Sequence, residues 1–116
     1  MNYVKHINEF LERVKKDSRL NPTHVSLYFS LFRIWNISRF ADSFFINREE
    51  VMIVAKIGSK STYHRCISNL TDWGYITYFP SQNPYKGSRV RLVVFNSISK
   101  SSYPSADPTN DFTLKL

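Results

Sequence analysis

The 116-residue sequence contains a single cysteine, Cys66, and only three glycines. One cysteine cannot form an intramolecular disulfide, so we expect an apolar core to hold the fold together. We also expect the protein to be located in the reducing cytoplasm. No run of about 18 uninterrupted apolar residues occurs, which argues against a membrane-spanning helix. The N-terminal segment MNYVKHINEFLERVKK is charged throughout. We therefore expect no secretory signal peptide, because such a peptide needs an apolar centre.

Patterns typical of enzymes and metal sites are also missing. His6, His24 and His64 lie far apart in the sequence, so the ligand spacing of a zinc site does not occur. There is neither a glycine-rich phosphate-binding loop nor a nucleophile elbow. His64 and Cys66 are two residues apart, so on a helix they point in different directions and cannot form a catalytic dyad. We predict no enzymatic activity and no metal or cofactor.

The composition of the chain indicates one folded, basic domain. Hydrophobic residues make up 42% and aromatic residues 16% of the sequence, which excludes a disordered chain. A chain of this length can bury one core. The formal net charge of +7 favours a polyanionic partner, either a nucleic acid or an acidic membrane surface.

Apolar periodicity predicts two helices in the N-terminal third. The first runs over residues 3–16, and the second runs from Pro22 to Ser38 with Asn21 as its N-cap. The second helix is apolar most of the way round, as expected of a central helix. One stripe of the first helix, here called the α1 stripe, should pack on the second helix of its own chain or of a second copy. It consists of Val4, Ile7, Leu11 and Val14.

A short strand and a third helix are predicted next. Ser43–Ile46 is brief and apolar, and Asn47 then provides an N-cap. Gly58 is placed to end the third helix in a left-handed conformation. The residues of this helix that we expect to face inward are Val51, Val54 and Ala55.

A fourth helix is predicted from the N-cap Ser59 to about Trp73, with Gly74 after it. Its apolar stripe consists of Tyr63, Cys66, Ile67 and Leu70. At 100° per residue the opposite face is polar and basic and carries no acidic residue. That face consists of Ser61, His64, Arg65 and Ser68.

The period then changes to two, which predicts strands over Tyr75–Phe79 and Arg89–Phe95. The intervening loop, PSQNPYKGS, is longer than a tight turn. The second strand shows this alternation, since Val90, Leu92 and Val94 alternate along it with Arg89, Arg91 and Val93. Residues 97–116 are rich in serine and proline, and we interpret them as a flexible tail with a late contact through Phe112 and Leu114.

This order of elements resembles that of winged-helix proteins. The segment INREEVMIVAKIGSKSTYHRCISNLTDWGYITYF resembles the helix–turn–helix and first wing strand of bacterial winged-helix regulators and replication initiators. The resemblance rests on IGSKST at the turn and WGYI at the entry to the wing, and it covers about Asn21–Phe95. It implies an α+β fold, a winged helix-turn-helix with an extra N-terminal helix and a two- to three-stranded antiparallel wing. With the helix and the tail predicted above from the residue pattern, the organisation is a helix over 1–20 as a candidate dimerisation element, a winged-helix DNA-binding domain over 21–96 as the resemblance implies, and a flexible tail over 97–116.

Charge distribution independently favours DNA. The segment from Val51 to Lys100 contains seven basic residues and one acidic residue, Asp72, so it carries a net charge of +6. A solvated basic surface, and serines that act only as helix caps, are the alternatives. The recognition helix is expected at about Ser59–Trp73 and the wing at about Tyr75–Phe95. The predicted DNA-binding residues are Ser59, Lys60, Ser61, His64, Arg65, Ser68, Lys86, Arg89 and Arg91.

The predicted function is sequence-specific binding of double-stranded DNA by a transcriptional regulator, for example one from a mobile element. One alternative is the DNA-binding component of plasmid or phage replication initiation, although a full initiator usually carries further domains. A winged-helix module that only assembles proteins is a third possibility, but it would not need the basic helix face and wing. We also expect a homodimer formed through the α1 stripe and the second helix.

Overall fold

The computed structural model describes residues 2–83 and 85–95, so the predicted tail over 97–116 lies outside the described residues. Within them the chain is an α+β protein with four helices and a three-stranded antiparallel sheet. None of these helices is both long and apolar enough to cross a membrane. The elements in chain order are α1 (Tyr3–Lys16), α2 (Pro22–Ile37), β1 (Phe44–Ile46), α3 (Arg48–Ala55), α4 (Lys60–Asp72), β2 (Ile76–Phe79) and β3 (Ser88–Leu92).

Polar side chains begin the helices where the sequence predicts them. Asn21 accepts hydrogen bonds from the backbone N–H groups of Thr23 and His24, and the His24 ring accepts from the Asn21 N–H. Asn47 and Ser59 cap α3 and α4 in the same way. Because each cap satisfies N–H groups that the first helical turn leaves without a partner, the predicted starts of α2, α3 and α4 are confirmed.

The end of α3 differs from the prediction. Lys56, not Gly58, adopts the left-handed conformation, with φ of 63°. The helix closes after Ala55, where the N–H of Ile57 bonds to the Met52 carbonyl at 2.9 Å, so the reversal is needed two residues before the glycine. Val51 and Ala55 are buried as predicted. Val54 is exposed and its predicted inward position is wrong, because the chain leaves the helix early and Ile57 enters the core instead.

The three strands form one sheet in the order β1-β3-β2. Phe44 pairs with Val90 in the first ladder and Ile76 with Leu92 in the second, and these four side chains face the helices. The strand predicted over Arg89–Phe95 is shorter in the structure, because β3 ends at Leu92, and Val94 beyond it is exposed. Phe95 instead turns back towards α1 and is buried.

The core surrounds α2, as its apolar circumference predicts. Leu27, Tyr28 and Leu31 are fully buried. Helix α1 covers one side of α2, where the Phe10 ring stacks on Tyr28 with centroids 3.8 Å apart. Helix α4 and the sheet cover other sides.

The face of α1 that packs on α2 matches the prediction only in part. Val14 of the α1 stripe packs against the core, whereas Val4 and Leu11 are 57% and 40% exposed. The buried residues of α1 are His6, Glu9 and Phe10. His6 Nε2 lies 2.6 Å from the Tyr28 hydroxyl, and the Glu9 carboxylate accepts a hydrogen bond from Lys5 at 2.9 Å. Glu9 and the His6 Nε2 have partners, which lowers the cost of their burial, whereas the buried His6 Nδ1 has none among the described residues. The aromatic contacts of His6 and Phe10 determine the packed face.

Candidate nucleic-acid interface

Helix α4 is fixed to the core by the stripe that its periodicity predicts. Tyr63, Cys66, Ile67 and Leu70 are all buried. A side-chain contact adds to this packing, since the His24 ring lies 2.9 Å from the Asn69 side-chain oxygen. With this stripe inward, the opposite face of α4 must point to solvent.

That opposite face carries four of the nine predicted DNA-binding residues, and a fifth, Lys60, is the first residue of the helix. All five are exposed, the four on the face being Ser61, His64, Arg65 and Ser68. None of the ion pairs within residues 2–83 and 85–95 involves Lys60 or Arg65. The predicted absence of acidic residues from this face holds only up to Ser68, because Asp72, the last residue of the helix, is exposed on the same face. The face is therefore polar and positively charged over its first two and a half turns.

Ser59 at the start of α4 acts as a cap, whatever else it binds. Its hydroxyl accepts from the Thr62 N–H at 3.1 Å and lies 3.0 Å from the Thr62 hydroxyl. The Tyr63 N–H bonds to the Ser59 carbonyl. The N–H groups of Lys60 and Ser61 have no acceptor among the described residues, and both residues are exposed. Two backbone donors at the positive end of the helix dipole are thus available to an anion.

A groove of about 500 Å³ joins α4 to the β2–β3 loop. Its lining includes Tyr63 and His64 of α4 and Tyr85 and Lys86 of the loop. His64 of the outward face and Lys86 of the loop therefore line the same groove. The remaining lining residues are Phe45, Ile46, Asn47, Arg48, Glu50, Tyr78, Gly87 and Ser88.

The base of the β2–β3 loop packs closely against β1. Gly87 has φ of 77°, and a Cβ built there would lie 2.7 Å from the Ile46 carbonyl oxygen. The hydroxyls of Tyr78 and Ser88 lie 2.8 Å apart across the two strands. These contacts fix the point from which Lys86 projects. From the sequence Gly87 is recognisable only as a glycine of the loop. Its close approach to β1 is a tertiary contact that the sequence pattern does not predict.

Arg89 and Arg91 lie on the other side of the sheet. Val90 and Leu92 point into the core that α4 also covers, and successive strand residues point to opposite faces. The Arg89 guanidinium donates a 2.6 Å hydrogen bond to the Ser43 hydroxyl, and both arginines lie over the Phe79 ring, at 4.8 and 5.6 Å from its centroid. The structure therefore separates these two residues from the seven near α4.

The buried ionisable groups of α4 are held neutral. Burial raises the pKa of the Cys66 thiol, and burial, followed by the nearby Tyr78, raises the pKa of Tyr63 to about 12. A thiol of this kind is a poor nucleophile, since the thiolate is the reactive form. Within residues 2–83 and 85–95 no three metal-ligating side chains lie close enough to hold an ion.

Comparison with known proteins returns no match, whether against family models, curated proteins or solved structures. Membership of a winged-helix family therefore stays a prediction from the sequence. Any functional conclusion depends on the arrangement of the residues themselves.

Proposed function

We propose that this chain is a winged-helix protein that recognises a sequence in double-stranded DNA, with α4 as the recognition helix and the β2–β3 hairpin as the wing. The observation that carries the proposal is the outward face of α4, which is exposed and basic and has no acidic side chain before Asp72 at its C-terminal end. An α-helix fits the major groove of B-DNA, where base edges present a readable pattern of donors and acceptors.

Seven residues form the proposed duplex interface. At the start of α4, the backbone N–H groups and the side chains of Ser59, Lys60 and Ser61 would hold a phosphate. One turn further along, His64, Arg65 and Ser68 would face base edges, and the Arg65 guanidinium can donate two hydrogen bonds to a guanine. Lys86, which lines the same groove as His64, would contact the backbone from the wing. Arg89 and Arg91 are left out because they face away from α4.

Transcriptional regulation is the role that we favour for such binding, and initiation of plasmid or phage replication is the alternative. Both would use the same contacts. DNA recovered from a random pool by the folded protein separates them, because an inverted repeat indicates a dimeric regulator and tandem repeats favour replication.

The test of DNA binding itself is the salt dependence of affinity for duplexes. With about five phosphates neutralised, log K should fall against log salt with a slope of about −4 to −5. Circular dichroism would establish that the protein is folded. A folded protein that binds no duplex at low salt contradicts the proposal and would instead favour a winged-helix module that assembles proteins.

A further inference from the structure

The sheet face that points away from the helices combines aromatic and basic side chains. We call it the outer face, and it consists of Phe45, Thr77, Phe79, Arg89 and Arg91. The ladders place Phe45 of β1 and Phe79 of β2 directly opposite Arg89 of the central strand, so these three side chains form one row across the sheet. Arg91 lies opposite Thr77 in the next row of the same face.

The arginines of the outer face are held in place without a carboxylate partner. The Ser43 hydroxyl and the Phe79 ring orient Arg89, and Arg91 lies over the same ring. No ion pair among the described residues uses either guanidinium. Asp42 shares a cavity with Arg91, yet it is not within ion-pair distance. Both guanidinium groups thus keep N–H donors for an external anion.

Phe45 adds a second kind of contact. It is 55% exposed, so a large part of its ring faces solvent beside Arg89. The same residue also lines the groove that runs to His64 and Lys86. The outer face and the α4–loop groove therefore meet at Phe45.

These features together fit unpaired nucleotides better than a duplex or an acidic peptide. Arg89 and Arg91 are two residues apart on one strand, roughly 7 Å, a separation that consecutive phosphates of an extended nucleic-acid strand can match. An exposed aromatic ring can stack on an unpaired base, and stacking tolerates any base. In a duplex the base faces are covered, and an acidic peptide would satisfy the arginines but leave Phe45 unused.

We propose that the outer face binds single-stranded DNA, with Phe45 as the stacking residue and Arg89 and Arg91 as phosphate contacts. The choice of DNA over RNA rests on the proposed function, because the outer face adjoins the groove assigned there to a DNA duplex. An unpaired strand leaving that duplex would reach Phe45 first and the two arginines next.

Fluorescence anisotropy of a labelled oligo-dT of about 15 nucleotides, titrated with the full chain at low salt, tests this inference. Replacing Phe45 by alanine should weaken binding roughly 5- to 100-fold through the loss of one stacked base. Arg91→Ala should weaken it as well and make the salt slope shallower by about 0.7. Lys16→Ala removes the same charge from an exposed residue of α1 that belongs to neither proposed surface. This control should leave oligo-dT affinity within about twofold.

A Phe45→Trp variant keeps the test valid if the alanine variant folds poorly, because tryptophan retains the stacking surface. Its fluorescence should be quenched by oligo-dT over the signal of Trp35 and Trp73. The inference is overturned if the parent protein does not bind oligo-dT, if Phe45→Ala and Arg91→Ala bind as the parent does, or if Lys16→Ala loses as much affinity as Arg91→Ala. Clearly tighter binding to oligo-U than to oligo-dT would overturn the assignment to DNA. Binding to oligo-dT that depends on Phe45, in a protein that binds no duplex, would contradict only the proposed duplex function.

Discussion

Helix α1 should be part of the cooperative core, and replacing Phe10 by alanine tests this most severely. The Phe10 side chain is fully buried. Its ring stacks on Tyr28 at 3.8 Å and meets Phe29 and Tyr75 edge-on at 5.7 and 5.9 Å. Truncating a buried phenylalanine costs about 3–5 kcal/mol, and aromatic pairs contribute about 0.5–1.5 kcal/mol beyond the buried area. We therefore expect about 4–5 kcal/mol, a large share of the roughly 5–15 kcal/mol that stabilises a typical domain.

Urea denaturation followed by circular dichroism measures this effect. With a slope of about 2 kcal/mol per molar urea, the midpoint should fall by about 2 M. Leu11→Ala is the matched control, since Leu11 is the next residue and is 40% exposed, and it should cost less than about 1 kcal/mol. If Phe10→Ala costs no more than Leu11→Ala, α1 does not pack on α2 in solution through the face described above.

Three further expectations concern the wing, pH and assembly. Gly87→Ala should destabilise the fold by more than about 1 kcal/mol in thermal melts, because Gly87 has a positive φ and a Cβ there would lie 2.7 Å from the Ile46 carbonyl oxygen. Gly58→Ala is the control, since a Cβ at Gly58 would have no atom within 4 Å. It should change stability by less than about 1 kcal/mol. Burial lowers the pKa of His6, although the charge of Glu9 opposes this shift. The unfolded chain therefore takes up the proton more readily, and stability should be lost as pH falls below about 6.5, by at most about 1.4 kcal/mol per pH unit. Thermal melts of a His6→Gln variant should show a shallower dependence of stability on pH, and a dependence equal to that of the parent would contradict this assignment. The predicted homodimer should appear in light scattering at tens of micromolar protein, and a monomer mass there would remove it.

Local signals in the sequence predict most of the helical framework. Asn21, Asn47 and Ser59 each act within three residues of themselves, and the stripe of α4 needs only the helical period. The buried face of α1 could not be predicted in this way. Glu9 and His6 are polar by type, and their burial depends on partners, of which Tyr28 lies 22 residues further along the chain.

In the candidate site, too, some features follow from local sequence and others depend on tertiary contacts. The exposed side of α4 follows from the position of its apolar stripe, so residues such as Arg65 could be assigned from the sequence. Strand alternation also separates Arg89 and Arg91 from Val90 and Leu92. Their separation from α4 requires knowing that α4 and the sheet cover the same core, which is a tertiary fact. The row that links Phe45 to Arg89 depends on the register of β1 with β3, and no local pattern sets that register.

The most direct test of the central claim is the affinity of an Arg65→Ala variant for the preferred duplex and for duplexes changed at single base pairs. If α4 reads DNA, the variant should lose roughly 1–3 kcal/mol on the preferred site and lose its preference at one base pair. Lys86→Ala should instead weaken binding to all duplexes about equally and lower the salt slope by about one unit. Because both side chains are exposed, stability should stay within about 0.5 kcal/mol of the parent. A folded Arg65→Ala protein that binds every duplex as the parent does would show that α4 is not the element that recognises the sequence.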